Sequence, residues 1–492
     1  MLLCGIDVGT SSIKVSVVDA ANQQLIYSTS YPEIENEISS PAPGFAEQDP
    51  EHWWYCVQQA ILKANASNTY NSLDISAIGI SYQMHGLVVL DAEEQVVRPS
   101  IIWCDSRAVS IGQKAYESLG SYCETNLLNS PGNFTASKLA WVKENQPEIY
   151  ARIKHVMLPG DFIAGRLTKH FTTTASALSE GIFYDFQSDT ISSAVLNYFQ
   201  FDNSLFPSIQ DVFSSHGTIV AEVADSLGLN KQVQVTYKAG DQPNNAFSLG
   251  VLQPGDIATT AGTSGVVYGI SGELKYDKHN RVNSFAHVNY TTQAKRIGVL
   301  MCINGTGILN RWVKQTICSD LNYVQMNELA ATTAIGSQGL LCVPFGNGAE
   351  RIFQNKLVGA SFEHLDLNRH GRAEMIRSAQ EGIAFSMAYG IEMLADAGIK
   401  PTKLKAGFAN MYLSNVFAQT IVNAANVSVD LLESDGAFGA ALGAGLGLRY
   451  YKTEGEAVSN IKHIKTINPN ATELSQTKTA YESWKELVNQ KL

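Results

Sequence analysis

Residues 5–17, GIDVGTSSIKVSV, join an apolar segment to a polar turn in an unusual way. The segment reaches the carboxylate of Asp7, enters a Gly-Thr-Ser-Ser turn and continues with alternating polar and apolar residues. Such alternation is typical of a half-buried strand. Glycine lets a backbone approach a ligand closely, and successive N–H groups can surround an anion. The stretch therefore predicts a β-hairpin whose turn holds phosphate beside a carboxylate.

The same design occurs again at residues 257–270, IATTAGTSGVVYGI, where two apolar strands flank a second Gly-Thr-Ser turn. A unit repeated near mid-chain indicates two related halves that face each other across a cleft. Gly-Thr-Ser is also a common turn composition, so coincidence is the alternative. We place the boundary in the Pro- and Gly-containing stretch at 250–255, and expect an N-terminal domain of residues 1–250 and a C-terminal domain of residues 251–492.

The length and the charge balance limit the class of protein. A chain of 492 residues exceeds the roughly 250–300 residues that one hydrophobic core serves, which agrees with two domains. Its 35 basic and 46 acidic residues give a net charge of −11, so nucleic acid and anionic membranes are not expected as partners. The seven cysteines include no Cys-x-x-Cys pair, and no apolar run approaches about 18 residues. We expect a cytoplasmic protein without disulfides, structural zinc or membrane spans.

The order of predicted elements indicates an α/β fold. The N-terminal strands, ending with NQQLIYSTSY at residues 22–31, predict an antiparallel meander. Asp49 followed by Pro50 predicts the start of a helix. Further along, SYQMHGLVVLD at residues 81–91 predicts a strand, a break and another strand. Strands interleaved with helices are typical of the α/β class.

Asp7 is a candidate metal ligand. Two Gly-Thr-Ser turns that face each other would hold a polyphosphate from both sides, and Asp7 is well placed to orient a Mg²⁺ ion bridging those phosphates. The second hairpin carries no carboxylate just before its turn. An Asx-turn in which Asp7 caps the hairpin is the alternative. The P-loop pattern GxxxxGK[ST] is absent, so a nucleotide would be held in another way.

Asp241 is a candidate general base. It lies in YKAGDQPNNAFSLG, residues 237–250, beside glycine and amide side chains. A lone carboxylate in this setting suits a base that meets a polyhydroxylated ligand. Gln242, Asn244 and Asn245 offer hydrogen bonds to hydroxyl groups of such a ligand. A helix N-cap is the alternative role for Asp241.

Three other motifs give weaker signals. Gln83 and His85 lie at the end of an apolar strand, where α/β folds tend to place ligands. Asp105 and Arg107, in WCDSRA, are expected to form a structural ion pair. In SDGAFGAALGAGLGL, residues 434–448, glycine recurs every four positions, which lines one helix face with glycine and permits close packing.

Together these motifs resemble the FGGY carbohydrate kinases. The similarity lies in GIDVGTSSIKVSVVD, EQDPEHWW, YQMHGLVVLD, ASKLAWVKENQPEIYARIKHVMLPGDFIAGRLT, AGDQPNNA, TAGTSGVVYG and ESDGAFGAALGAGLG, which follow the family order from the N-terminus to about residue 450. Within the family, QMHG and IIWCDSRA are most similar to the xylulokinases. The resemblance implies two actin-like, ribonuclease-H-type domains with ATP and sugar in the cleft between them.

The resemblance also implies roles for single residues. Asp7 would organise Mg²⁺ and ATP, and Asp241 would be the catalytic base. Met84 and His85 would contact the sugar, with Gln83 and Gln242 beside them. The ATP side would be formed by the two turns and three downstream positions, namely Thr10, Ser11, Ser12, Gly262, Thr263, Ser264, Gly307, Gly407 and Asn410.

We therefore predict an enzyme that uses ATP and Mg²⁺ to phosphorylate the terminal hydroxyl of a ketose, with D-xylulose, converted to D-xylulose 5-phosphate, as the first choice. Two departures keep the substrate open. Gln242 follows the base where xylulokinases usually carry asparagine, a pattern closer to the glycerol kinases, and KAGFANMYLS lacks the run of three glycines common in relatives. Ribulose, sedoheptulose and glycerol remain alternatives, as does a non-kinase actin-like ATPase. The resemblance is compatible with a homodimer.

Overall fold

The first Gly-Thr-Ser turn joins two strands of the N-terminal half. The computed structural model describes residues 1–492. The strands of this half are β1 Leu2–Val8, β2 Ile13–Asp19, β3 Gln24–Tyr31, β4 Glu47–Gln48, β5 Ile75–Tyr82, β6 Val88–Leu90, β7 Ser100–Ile101, β8 His155–Met157, β9 Thr172–Thr173, β10 Tyr184–Asp185, β11 Thr190–Ile191, β12 Ser208–Ile209 and β13 Gln234–Gly240. Its helices are α1 Pro50–Asn65, α2 Val109–Leu119, α3 Thr135–Asn145, α4 Pro147–Arg152, α5 Pro159–Thr168, α6 Ala175–Glu180, α7 Ser193–Phe199, α8 Ala221–Leu227 and α9 Asp241–Ser248.

The central sheet of this half has five strands in the order β13-β5-β1-β2-β3. β1, β2 and β3 form the predicted antiparallel meander, whereas β5 and β13 run parallel to β1. The carboxyl ends of β1, β5 and β13 thus meet at one edge of the sheet, and ligands in α/β folds bind outside such edges. Helix α1 begins as predicted, with Asp49 as the N-cap and Pro50 as its first residue.

The second Gly-Thr-Ser turn joins the first two strands of the C-terminal half. The strands of this half are β14 Asp256–Ala261, β15 Gly265–Ser271, β16 Asn283–Ala286, β17 Ile297–Ile303, β18 Leu341–Phe345, β19 Gly359–Glu363, β20 Lys403–Gly407, β21 Val429–Glu433 and β22 Lys462–Ile467. Its helices are α10 Gly307–Thr316, α11 Tyr323–Ala331, α12 Arg372–Leu394, α13 Asn415–Ala425, α14 Gly436–Gly447, α15 Glu454–Ala457 and α16 Leu474–Lys491.

The second sheet repeats the first. Its seven strands have the order β16-β17-β15-β14-β20-β21-β22. β14, β15 and β17 are antiparallel neighbours, and β20 and β21 run parallel to β14. Apart from the edge strands β16 and β22, this is the arrangement of the first sheet. The duplication predicted from the two turns therefore extends through five strands of each half, and the α/β class with two related domains is confirmed.

Helix α14 comes from the second half of the sequence but packs on β1, β5 and β13 of the first sheet. Glycine on both surfaces makes this close approach possible. A Cβ atom on Gly447 would lie 1.8 Å from the carbonyl oxygen of Thr236, and one on Gly5 would lie 1.8 Å from that of Ala437. The predicted glycine face of the helix is thus its packing face, and the chain after residue 250 contributes a helix to the first sheet.

The two halves also meet where β16 lies against α6. The side chain of Asn129 both donates to and accepts from the backbone of Ser284. The N–H of Ala286 donates to the hydroxyl of Ser179 at 2.9 Å. These bonds hold the edge strand of the second sheet beside the end of the first sheet where the predicted site residues lie.

Three further predictions concern an ion pair, the cysteines and membrane-spanning helices. Asp105 and Arg107 form the predicted ion pair, with Oδ2 2.7 Å from Nη2 and both side chains buried. The seven cysteines are all free thiols. No helix combines the length and the apolar character that crossing a bilayer requires.

Candidate active site

Predicted site residues from three distant parts of the sequence meet at the carboxyl edge of the first sheet. Asp7 lies near the end of β1, Gln83 follows β5, and Asp241 follows β13. Because β5 pairs in parallel with both β1 and β13, these strand ends are neighbours. Asp7 and Asp241 are close enough to interact, since the charge of Asp7 contributes to the raised pKa of Asp241.

Asp7 lies against the N-terminus of α14. A Cβ atom on Gly436 would be 2.4 Å from Asp7 Oδ2, so only glycine leaves room for this carboxylate. Burial raises the pKa of Asp7, and the charge of Asp435 adds to the effect, while Ser81 and Lys14 oppose it. Lys14 is itself held by Asp435, whose Oδ2 is 2.8 Å from Nζ. The carboxylate of Asp7 therefore stands in a site that disfavours its charge.

Asp241 is the first residue of α9. Gly240 takes the N-cap position, so the alternative that Asp241 is the N-cap residue is wrong. Burial and the charge of Asp7 raise the pKa of Asp241 to about 7, and the contributions that lower it come from hydrogen bonds, chiefly with Gln242, and not from a cation. Met84 packs against Gly240, since a Cβ atom on Gly240 would lie 2.7 Å from Met84 Cγ. A carboxylate that titrates near neutral pH has the property a general base needs.

The two carboxylates fit a Mg²⁺ ion that is bound together with phosphates. Mg²⁺ usually takes one or two carboxylates and completes its shell with water and phosphate oxygens. A cation beside Asp7 would offset the burial and the like-charge interaction that raise the pKa values of Asp7 and Asp241. Asp7 is the residue that would hold this ion.

The first Gly-Thr-Ser turn is held by an amide and indole network. The hydroxyl of Thr10 donates to Gln83 Oε1 at 3.3 Å and accepts from the indole N–H of Trp103 at 3.0 Å. Gln48 donates to the carbonyl oxygen of Thr10 at 2.9 Å and accepts from Gln83 at 3.1 Å. Gln83 is only 2% exposed. Its amide therefore supports the turn, and a contact of Gln83 with the sugar stays a prediction.

His85 has an unusual backbone conformation and a defined proton position. Its φ of 63° is uncommon for residues other than glycine. Nδ1 lies 3.1 Å from the carbonyl oxygen of Glu180, so Nδ1 carries the proton and Nε2 is an acceptor. Burial and the charge of Lys138 lower the pKa of His85 to about 3, which keeps the ring neutral. The ring centroid lies 4.8 Å from that of Phe134 and 5.4 Å from that of Phe285 in β16.

The second Gly-Thr-Ser turn is held by the N-terminus of α10. The N–H of Gly307 donates to the carbonyl oxygen of Gly262 at 2.9 Å, and the next N–H, of Ile308, donates to that of Thr263 at 3.0 Å. A Cβ atom on Gly307 would lie 2.2 Å from the Gly262 oxygen, so Gly307 supports the turn by having no side chain. Asn410 approaches the turn from the other side, with Nδ2 3.7 Å from the position of a Cβ atom on Gly262.

Gly407, which is also predicted for the ATP side, lies at the same edge of the second sheet as the second Gly-Thr-Ser turn. Gly407 ends β20, the strand beside β14 and β21. The hydroxyl residues of the two turns stay accessible: Ser11, Thr263 and Ser264 are exposed, and Thr10 and Ser12 are partly exposed. Both turns thus present hydroxyl groups at their surface, as a phosphate site requires.

Two amides that the sequence offered to sugar hydroxyls have protein partners instead. Asn244 is fully buried and donates to the carbonyl oxygen of Gly436 at 2.8 Å. Asn245 donates to the hydroxyl of Thr260 at 3.2 Å. Both bonds join α9 to elements of the second half. Of the three amides, Gln242 alone has no bond to the second half; its partly exposed side chain lies beside the carboxylate of Asp241.

Four residues that sequence reasoning missed support the site. Glu350 is buried and accepts two consecutive backbone N–H groups before α10, each at 2.9 Å. Trp103 is 53% exposed although its indole holds the first turn. Lys138 is fully buried and bonds the backbone of His85. Glu180 is buried, neither of its carboxyl oxygens has a hydrogen-bond partner, and Oε2 lies 3.7 Å from His85 Nδ1. Trp103 and Lys138 stand in motifs that carry the family resemblance, whereas the other two have no local signal.

Comparisons with known proteins agree with this geometry. The model of the N-terminal domain of the FGGY family of carbohydrate kinases matches residues 2–248, and that of the C-terminal domain matches residues 257–448. Xylulose kinases from Staphylococcus xylosus and Haemophilus influenzae are 28% and 27% identical and cover 92% and 98% of this chain, with the same shares of their own lengths.

Solved structures show the same fold. A xyloylose kinase from Brucella ovis superposes with a TM-score of 0.90 at 26% identity, covering 100% of this chain and 99% of its own. A glycerol kinase from Plasmodium falciparum, with ADP, gives a TM-score of 0.87 at 18% identity and covers 100% of this chain and 98% of its own, which concerns the fold alone. The predicted actin-like pair of domains is confirmed. Because the two domain models match most of its length, the chain belongs to the FGGY family of carbohydrate kinases and is an ATP-dependent carbohydrate kinase.

Proposed function

We propose that this protein phosphorylates D-xylulose at its terminal hydroxyl, with ATP as phosphoryl donor, to give D-xylulose 5-phosphate. The observation that carries the proposal is Asp241, whose pKa of about 7 results from burial and from the charge of Asp7 at the edge where the sheet's strand ends meet. The curated relatives named xylulose kinase, which cover nearly the whole chain, support the choice of sugar.

The two turns would hold the phosphates of ATP. Thr10, Ser11 and Ser12 offer hydroxyl and N–H groups from one side, and Thr263 and Ser264 offer them from the other. Asp7 would hold Mg²⁺, which, when bound, neutralises charge on the phosphate oxygens. The adenosine would extend toward α10 and the end of β20, where Gly307, Gly407 and Asn410 lie; this is supported by the contacts of Gly307 and Asn410 with the second turn.

Asp241 would act as the general base. Its carboxylate accepts the proton of the terminal hydroxyl while that oxygen attacks the γ-phosphorus of ATP. A new P–O bond forms to the sugar, the bond between the γ-phosphorus and the bridging oxygen breaks, and ADP leaves with that electron pair. Phosphoryl transfer depends more on positioning and charge stabilisation than on covalent help from the protein, and general-base assistance contributes about 10²–10⁴-fold.

The sugar would lie between the base and His85. Nε2 of His85 is an acceptor, because Nδ1 donates to the carbonyl oxygen of Glu180, and it suits a substrate hydroxyl. Met84 is 5% exposed and packs under Gly240, which gives the sugar an apolar floor. Gln242 is partly exposed and offers an amide to a second hydroxyl. A neutral acceptor, an amide and an apolar floor suit an uncharged polyol chain.

The test is ADP release from ATP and Mg²⁺ across D-xylulose, D-ribulose, L-ribulose, sedoheptulose, glycerol and a blank without sugar, with Asp241→Asn as the inactive control. We expect the highest kcat/KM on D-xylulose. A clear preference for another acceptor would make the xylulose assignment wrong and leave the kinase in place. Turnover equal to the blank with every acceptor would refute the proposal and favour a non-kinase actin-like ATPase.

We further propose that the enzyme divides into functional domains at residues 1–250 and 251–492, works in the cytoplasm and forms a homodimer. The two matched domain ranges support the division, and seven free thiols suit a reducing compartment. Light scattering coupled to size-exclusion chromatography tests the dimer, since a mass of one chain, 53.4 kDa, would refute it.

A further inference from the structure

The backbone of His85 is held in its unusual conformation by two buried donors. Its carbonyl oxygen accepts from Lys138 Nζ at 2.8 Å and from the hydroxyl of Thr135 at 3.2 Å. Both donors lie on α3, whose first turn therefore faces the QMHG segment. A positive φ at a residue other than glycine persists only where the surroundings determine it, and these two bonds supply that constraint at His85.

Lys138 is an unusual choice for this task because it is a buried cation. Its side chain is 0% exposed. Burial lowers its pKa to about 7, and the charge of Asp105 favours the protonated form without a direct salt bridge. Fully buried lysines are rare unless they are paired. A neutral side chain would avoid the cost of burial, so the two carbonyl bonds of Lys138 explain why a lysine stands here.

The second bond of Lys138 reaches the segment that leads to the first phosphate turn. Nζ donates to the carbonyl oxygen of Ile102 at 3.0 Å. The next residue, Trp103, donates its indole N–H to the hydroxyl of Thr10. The ammonium group of Lys138 thus joins the backbone of His85, on the expected sugar side, to the backbone of Ile102. Through Trp103, the connection continues to the turn expected to hold phosphate.

We propose that Lys138 is a positioning residue that fixes the distance between the sugar site and the phosphate site. It does not touch substrate, and acts through His85 and through Trp103. The proposal rests on the assignment of a ketose kinase above. A displacement of about 1 Å between reacting groups can lower a rate by about 10²-fold, so loss of this link should reduce kcat more than it reduces the affinity for ATP.

Lys138→Met tests the proposal, and Lys143→Met is the matched control. Lys143 lies on the same helix and also donates to two carbonyl oxygens, those of Phe199 at 2.9 Å and Gln200 at 2.6 Å, outside the site. For Lys138→Met we expect kcat to fall about 100-fold and the KM for sugar to rise about tenfold. The Kd for ATP without sugar should change less than twofold. Lys143→Met should keep all three values within about twofold of the parent.

Hydrogen exchange measured by mass spectrometry gives a readout that does not depend on turnover. In Lys138→Met, peptides covering residues 83–90 and 100–107 should both exchange faster than in Lys143→Met. Unchanged exchange in either peptide, or kinetics equal to those of Lys143→Met, would overturn the proposal. If the parent turns over no sugar, the proposed function fails, and exchange in the two peptides still decides whether Lys138 joins them.

Two further variants keep the test decisive. Trp103→Phe combined with Lys138→Met should lose less kcat than the product of the single losses, because both changes break one connection. Fully multiplicative losses would refute action through Trp103. Should Lys138→Met fail to fold, Thr135→Val removes the other donor to the His85 carbonyl oxygen. We then expect the KM for sugar to rise about threefold with ATP affinity unchanged, and no rise would count against the link.

Discussion

Replacing Asp241 with asparagine should inactivate the enzyme and stabilise its fold at the same time. In the folded protein burial and the charge of Asp7 raise the pKa of Asp241 from 3.8 to about 7. Between these two values the unfolded chain binds fewer protons than the folded one, so stability falls as pH rises from about 4 to about 7. Each unit of pKa shift corresponds to about 1.4 kcal/mol. Ionisation of Asp241 therefore lowers the free energy of unfolding by up to about 4 kcal/mol above about pH 7. Asparagine has nearly the same shape and carries no charge.

The assay is thermal unfolding of wild type and Asp241→Asn at several pH values, together with kcat. We expect the variant to unfold up to about 8–16 °C higher at about pH 8, since 1 kcal/mol shifts Tm by about 2–4 °C in domains of this size. The difference should shrink toward zero below about pH 4, where Asp241 is protonated in both the folded and the unfolded state. Turnover should fall by about 10²-fold or more, while sugar binding measured by calorimetry persists.

Two results would refute this reasoning. A Tm difference that does not grow with pH would mean that ionised Asp241 is not destabilised by its site. A variant that retains more than about a tenth of wild-type kcat would remove Asp241 from the role of base. Asp256→Asn is the control, because Asp256 lies at the start of β14 and accepts the backbone N–H groups of Leu252 and Gln253. It should lose stability at pH 8 and keep its kcat.

The remaining predictions concern the two phosphate turns. Gly307→Ala should raise the KM for ATP about tenfold and leave sugar affinity unchanged, because its Cβ atom would lie 2.2 Å from the Gly262 carbonyl oxygen; steady-state kinetics with each substrate checks this. Glu350→Gln should weaken ATP binding about tenfold in calorimetry, because glutamine cannot accept both backbone N–H groups that the carboxylate now accepts. Trp103→Phe should lower kcat/KM for sugar about fivefold, because it keeps the ring but loses the bond to Thr10; an unchanged value would mean that this bond does not position the turn.

The parts of the fold that could be predicted from sequence are those with local causes. The two hairpins follow from strand periodicity on either side of a Gly-containing turn. The start of α1 at Pro50 follows from capping chemistry. The packing face of α14 follows from glycine at every fourth position, because such spacing keeps one side of a helix free of side chains.

Three of the predicted sugar contacts are amide side chains that hydrogen-bond protein groups in the structure. Gln83 is predicted beside the sugar from its place at a strand end and from the family resemblance, and Asn244 and Asn245 because amides hydrogen-bond hydroxyls. In the structure each bonds a protein group outside its own motif: Thr10 in the first Gly-Thr-Ser turn, Gly436 in helix α14 and Thr260 in strand β14. An amide side chain satisfies a protein partner and a ligand equally well, so its role depends on tertiary neighbours that a single sequence does not reveal. The buried charges Lys138 and Glu350 escaped prediction for the same reason.

The duplication explains why one carboxylate remains reactive. In each half a helix follows the fifth strand of the repeated sheet, α9 after β13 and α14 after β21. Each helix begins with an aspartate, Asp241 in one half and Asp435 in the other. Asp435 is the N-cap, accepts the N–H of Phe438 at 2.9 Å and pairs with Lys14 at 2.8 Å. Asp241 is displaced by one position, since Gly240 is the cap.

Because of this difference, we expect the aspartates of the two halves to have different roles. Asp435 pairs with Lys14 and caps α14, so its carboxylate already has protein partners. Asp241 has the like charge of Asp7 beside it in place of a cation, and its pKa rises to about 7. We therefore expect both halves to hold phosphate through their equivalent turns, and acid–base chemistry to belong to the first half alone. On this argument Asp435→Asn, which reaches Asp241 only through Asp7, should shift the pH dependence of kcat less than a change at Asp7 itself does; pH–rate profiles of Asp435→Asn and Asp7→Asn check this.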